Sequence, residues 1–412
     1  MNIEAEWNIS FRLEASRLTA MMVRQFGLPR LDLIEDAVQE TFIRALKAWK
    51  TDGPPENHRS WLALVAKRIV IDRLRRDRIY TALPAEELLP CPEPADRLAF
   101  DEDELSLFRL CCHPSLSPTS QIILTLREVG GFTTREIAAC LLTAESTIAQ
   151  RLVRTKRTLR TIDPDKELGD ETQKIESFRR VLYLMFNRGY SFQTESGSAE
   201  AIELCDQAIS LTLRLSRSAA TSRPATHALL ALMYLQSSRI NSRLDPTGAC
   251  LRLEEQDSKN WDQTRIALGV QALGAASEGD KMTSYHLEAA IAAEYATCDP
   301  IIGPDWSRIL THYDDLLNLY PTEVVRLNRA IVVGMIQGPE AALALLDKIR
   351  TRGRLSGYHH LESARAFFLE RSARKEESKT ALHQALLLAT HEGDRKLLQR
   401  RLQAVSVDLN MN

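Results

Sequence analysis

The chain has 412 residues, and its 53 Lys and Arg against 55 Asp and Glu leave a net charge of -2. That balance excludes a uniformly basic nucleic-acid coat protein and confines any DNA contact to local patches. Hydrophobic residues at 44% and charged residues at 26% exclude long disordered, collagenous or disulfide-dense chains, and the length predicts about two or three domains.

Residues 1–10 carry Glu4 and Glu6 where a secretory signal has a basic end and an apolar run, and no later stretch approaches the ~18 unbroken apolar residues of a membrane span. A cytoplasmic protein is predicted. Seven scattered cysteines, an odd number, predict free thiols. Cys111-Cys112-His113 lacks a further ligand pair and reads as core thiols. Apolar residues recur at three and four from end to end without alternating β-branched runs, so the predicted fold class is all-α.

From Leu33 to Trp49, Ile34, Val38, Phe42, Ala45 and Trp49 make a buried helix face, while Asp36, Gln39 and Glu40 share another where polar acceptors could meet a basic helix. After Gly53-Pro54-Pro55, Ser60 caps a helix from Trp61 to Tyr80 with a core face of Leu62, Val65 and Ile69. Its basic residues are Lys67, Arg68, Arg73, Arg75, Arg76 and Arg78; arginines and an aromatic beside a loop suit single-stranded DNA. Residues 81–104, with Pro84, Pro90, Pro92 and Pro94 and many acids, read as an extended linker.

Ser117-Pro118 opens the next helix and Gly130-Gly131 stops it. Thr133 to Glu136 forms a capping box before the short face of Ile137, Ala138 and Leu141. With Thr143 as its expected cap, a third helix runs from about Ala144 to Thr161 on a stripe of Ile148, Leu152, Thr155 and Leu159. Opposite that stripe lie Ser146, Gln150, Arg154 and Arg157, flanked by Thr147 and Arg151, with Lys156 adding charge. This is the pattern of a helix-turn-helix whose last helix enters a major groove; Gln can pair with adenine and Arg with guanine.

Asp36 to Phe42, Trp61 to Ala66 and Ile71 to Arg76 resemble region 2 of bacterial extracytoplasmic-function sigma factors, and the helix-turn-helix resembles their region 4. Departures are Leu142 and Ala144, where the family often has Gly and a small polar residue. The resemblance implies region 2 over 8–80, the linker over 81–104 and region 4 over 105–162. It implies that Asp36, Gln39, Glu40 and Phe42 grip the beta-prime clamp of core RNA polymerase, and that residues 50–59 pocket a flipped base. Trp61 and the basic residues after it then open the minus-10 element of promoter DNA, while region 4 holds the beta flap and reads the minus-35 element.

About 250 residues follow Asp163. Over 166–412, helix pairs rich in Ala and Leu predict a curved helical array, and Val181 to Tyr190, Glu255 to Asp262, Val325 to Ala330 and Tyr358 to Leu361 resemble the tetratricopeptide-like extension of one sigma-factor subgroup. Asn187, Tyr190, Gln256, Asp257, Trp261, Arg326 and Asn328 are its candidate groove, for a protein partner or an intramolecular contact. His359-His360 has no carboxylate or Cys at ligand spacing and reads as a structural pair. No phosphate loop, nucleophile elbow or metal motif predicts an enzyme or a cofactor. The function expected is a sigma factor whose tail regulates it. The alternative is a DNA-binding regulator with a tetratricopeptide-like sensor that does not touch polymerase.

Overall fold

The computed structural model describes residues 3–52, 55, 57–76, 101–141, 143–161, 171–196, 199–299 and 302–410. Among them are eighteen α-helices and two isolated bridge pairs, Leu244 with Cys250 and Asp299 with Gly303, and no strand. No helix among the described residues is long and apolar enough to cross a membrane. The Pro-rich stretch 81–100, Arg78, Leu142 and the break at Asp163-Pro164 lie outside the described residues.

Contacts divide the chain into two units. The first contains residues 1–185 and 213–221. Here α1 (Ile3–Phe26), α2 (Leu31–Asp52) and α3 (His58–Arg76) pack on one another, and α1 also packs on α4 (Glu102–Cys111). The apolar stripe of α2 is buried at Ile34, Val38, Phe42 and Ala45, that of α3 at Leu62, Ile69 and Leu74. These faces form because the apolar residues recur at helical spacing.

Two local details differ from expectation. Asp101 to Glu104, read as the end of the linker, form the cap and first turn of α4: Asp101 Oδ1 accepts from the Glu104 N–H at 2.8 Å, and the Glu104 carboxylate accepts from the Asp101 N–H at 3.2 Å. This reciprocal box satisfies two orphan donors, so an acidic stretch becomes a helix start. Next, Ala144 rather than Thr143 occupies the cap position of the last helix of this motif, without a side-chain bond.

The helix-turn-helix follows the expected punctuation. Ser117 caps α5 (Pro118–Leu124), which continues into a π-helical turn over Thr125–Val129. Gly131 then takes φ 69°, a left-handed conformation that glycine adopts without a Cβ penalty. Thr133 and Glu136 exchange their capping bonds at 2.7 and 3.2 Å before α6 (Thr134–Cys140), and α7 (Glu145–Leu159) packs on both α5 and α6. Cys111 and Cys112 are buried, and burial raises both thiols well above their ordinary range. α8 (Glu171–Ser196) reaches Met185 within this unit, and the end of α9 (Ala199–Arg217) returns to it.

The second unit contains residues 186–212 and 222–412. Its helices are α10 (Pro224–Ser237), α11 (Gln263–Ala276), α12 (Ser284–Ala296), α13 (Trp306–Leu319), α14 (Glu323–Gln337), α15 (Pro339–Thr351), α16 (His359–Arg371), α17 (Lys375–Leu388) and α18 (Glu392–Asn410). Each packs on the next, and α10 on α12 and α14 on α16 as well, which makes a helical array. Gly334 permits one close approach: a Cβ there would run into Phe368 and Ala342.

Candidate nucleic-acid interface

The polar face of α2 is formed as expected and already has an occupant. Asp36 and Gln39 are exposed and Glu40 is half-buried. Arg73 of α3 donates to Glu40 at 2.8 Å and lies 3.6 Å from Asp36, and Arg44 joins Glu40 at 2.5 Å. Desolvation, the largest single influence, pushes the Glu40 carboxyl up, but the hydrogen bonds and charges of Arg73 and Arg44 together outweigh it and hold the group below its ordinary value. Phe42 corrects the expectation of a gripping residue: it is 5% exposed, because it continues the stripe of Val38 and Ala45 into the core. On α3, Arg68, Arg75 and Arg76 project into solvent, whereas Lys67 and Arg73 are half-buried. Trp61 is half-buried and packs on Trp49 with centroids 5.3 Å apart, and Trp49 also meets the ring of His58, the first residue of α3.

In α7, Ile148, Leu152, Thr155 and Leu159 are buried, while Ser146, Gln150, Arg151, Arg154 and Arg157 are exposed and Thr147 is half-exposed. One basic residue departs from this sorting. Lys156 is 9% exposed and turns into an acidic pocket made by Glu35 of α2, Glu128 of the π turn at 3.4 Å and Asp32 at 3.5 Å. It lies four positions after Leu152 and three before Leu159, so helical geometry assigns it to the buried stripe. Arg160 also pairs with Asp32, and Arg127 with Glu35 at 3.5 Å. Burial, and then the charge of Glu35, push the Glu128 carboxyl up to about 8. Desolvation disfavours the Lys156 ammonium, yet Glu128, Glu35 and Asp32 outweigh it and raise its pKa, so the lysine stays charged.

Comparison with known proteins places both parts. Residues 13–79 match the family Sigma-70 region 2, residues 110–159 match Sigma-70, region 4, and residues 174–277 match a Family of unknown function (DUF6596). The uncharacterized protein R00370 of Rhizobium meliloti (strain 1021) is 36% identical over 413 residues, covering 97% of this chain and 96% of that protein. No solved structure matches. The chain is a sigma factor of the extracytoplasmic-function type. It carries a C-terminal helical extension, its partners are core RNA polymerase and promoter DNA, and its family is not one of enzymes.

In this sigma factor the extension contributes to the core of the sigma unit. Glu104, 1% exposed, accepts from Arg17 of α1 at 3.2 Å and from Arg214 of α9 at 2.5 Å. Burial pushes its carboxyl up, and the two guanidinium groups only partly counter this. Phe178 of α8 stacks on Phe108 of α4 with centroids 4.5 Å apart and planes 7° from parallel, an arrangement worth about 0.5–1.5 kcal/mol beyond its buried area. Both Phe178 and Arg214 lie within the segment of unknown function, and no local motif marked either.

The exposure of Arg154 and Arg157 carries a prediction for DNA. Alanine at each should lower the slope of log affinity against log salt by about 0.9, one phosphate contact apiece. Fluorescence anisotropy across a salt series measures it, and an unchanged slope would turn these side chains away from the backbone.

The tail residues separate into different places. Tyr190 and Gln256 line a cavity of about 570 Å3, and Gln256 and Trp261 line another of about 750 Å3. Asn187, Asp257, Arg326 and Asn328 line neither; Asp257 caps a short turn, Arg326 pairs with Glu323 at 3.2 Å, and Asn328 bonds Tyr313. Arg243 lies over the Tyr190 ring, 3.7 Å from its centroid, and donates to the Tyr190 carbonyl. His359-His360 requires a correction, since the fold brings Asp394 of α18 to it, with Cys250 hydrogen-bonded to that aspartate. Chain spacing gave no sign of this because three separated segments meet there.

Proposed function

We propose that this sigma factor binds core RNA polymerase through Asp36, Gln39 and Glu40 of α2, and that its extension regulates the sigma regions in cis in the cytoplasm. Lys67, Arg68, Arg75 and Arg76 contact the opened minus-10 element, and Ser146, Gln150, Arg151, Arg154 and Arg157 read the minus-35 element. The sorting of α7 into a buried apolar stripe and an exposed basic face supports the promoter-reading role.

Regulation is supported by the contact that Lys156 and Arg160 make with Asp32 and Glu35, because it joins the reading helix to the helix proposed to hold polymerase. Two promoter elements require α2 and α7 to work apart, so this contact has to open. Phe178 and Arg214 of the extension stabilise the unit that contains it. Run-off transcription with purified core polymerase on a promoter library is expected to give promoter-dependent transcripts. Asp32, whose side chain is 60% exposed, can be reversed without touching the core. Asp32→Lys removes pairs worth up to about 1 kcal/mol each and should raise output about fivefold. Unchanged output would remove regulation through this contact, and no transcript from any promoter would favour a DNA-binding regulator that does not touch polymerase.

A further inference from the structure

The second unit holds a side-chain cluster that promoter recognition does not use. His359 and His360 open α16, Asp394 lies in the first turn of α18, and one ligand-capable atom from each lies within 4.8 Å of the others. His359 is 7% exposed, and its Nε2 sits 3.4 Å from Asp394 Oδ2. Cys250 arrives from a separate turn. Its N–H donates to the Gly393 carbonyl at 3.0 Å, beside Asp394, and its thiol hydrogen-bonds to the Asp394 carboxylate. All four side chains line the 570 Å3 cavity.

Two imidazoles, one carboxylate and one sulfur match the four-coordinate N, O and S ligation of zinc, and they match poorly the all-oxygen shells of magnesium and calcium. Charge also decides between cations. The amino ends of α16 and α18 repel an unbalanced positive ion, and Arg243 and Arg252 line the same cavity. A dication held by Asp394 and a Cys250 thiolate is neutral, so that repulsion has little to act on.

We propose that His359, His360, Asp394 and Cys250 form a binding site for one zinc-type divalent cation. The thiol proton passes to solvent as the sulfur ligates, and the bound ion ties the starts of α16 and α18 to the turn ending at Cys250. The turn and α18 already meet through the Cys250 bond to Gly393, Lys396 on the Thr247 carbonyl at 2.9 Å and Arg400 on Asp245 at 3.4 Å, and the ion adds α16 to that junction.

The test uses the full chain, free of any purification tag and stripped with a chelator, then exposed to Zn2+, Co2+ or Mg2+ and desalted. One equivalent of zinc per chain should remain, and no magnesium. His360→Asn, at an exposed position that leaves the core intact, and Asp394→Asn should each weaken zinc binding by more than the ~100-fold loss typical of a residue that merely orients a ligand. The Co2+ form should show a thiolate-to-metal charge-transfer band that Cys250→Ser abolishes. Absence of retained zinc, or equal retention by both the His360 and Asp394 variants with unchanged helical signal, overturns the site; a band that survives in Cys250→Ser overturns the sulfur ligand.

Discussion

Replacing Asp36, Gln39 and Glu40 together with alanine is expected to lower affinity for core RNA polymerase about a hundredfold or more, without loss of helical signal. The fold tolerates the change because these ion pairs lie at the surface: the Asp36 side chain is 70% exposed and its partner Arg73 30%, and pairs of this kind contribute about 0–1 kcal/mol. Binding is more sensitive. Three groups at the centre of an interface, each worth about 1–2 kcal/mol, sum to at least 3 kcal/mol, which is about a hundredfold. Arg73 gives the internal comparison. It covers Glu40 in the free protein, so polymerase must displace it, and Arg73→Ala should leave affinity equal or higher. Surface plasmon resonance on immobilised core enzyme measures both, and full affinity of the triple variant would remove this face from the interface.

The second large effect is expected at Glu104. Glu104→Ala should destabilise the first unit by about 3–5 kcal/mol, because it removes the buried carboxylate that faces the guanidinium of Arg214, 2% exposed, while the half-buried Arg17 keeps Glu14 at 3.5 Å. Exposed Glu102, two positions away in the same acidic run, should change stability by no more than about 0.5 kcal/mol on the same substitution. Native-state hydrogen exchange over residues 102–129 under increasing urea reads the unit directly, without assuming that two units unfold together. A loss below about 1 kcal/mol for Glu104→Ala would show that the buried cluster has little net worth.

What was legible in the chain follows the range of the interactions. Caps and stops around the helix-turn-helix depend on residues three or four apart, and Ser117, Gly131 and the Thr133–Glu136 box stand where the pattern placed them. The buried stripes of α2, α3 and α7 were readable for the same reason. Lys156 and Phe42 were misassigned by residue type although their spacing already put them on apolar faces. Charge and aromaticity argued outward, and a tertiary pocket of three acids and a packed core reversed that. α11 gave a weak signal because its buried positions Ile266, Gly269, Ala272 and Ala276 are mostly small. The meetings of Arg214 with Glu104, and of Asp394 with His359 and Cys250, join distant segments that no local period connects.

Glu104 and Arg214 are 110 residues apart in the chain. At a synthesis rate of about 5–20 residues per second, a ribosome takes roughly 5–20 s to travel from one to the other. During that interval α4 has its apolar side and its acid in place but no guanidinium from α9, and the ring from α8 arrives only part-way through it. Both sigma regions therefore leave the exit tunnel ahead of the parts that complete them, and nascent region 4 is exposed to chaperones, and to premature capture by polymerase, for a period set by translation speed.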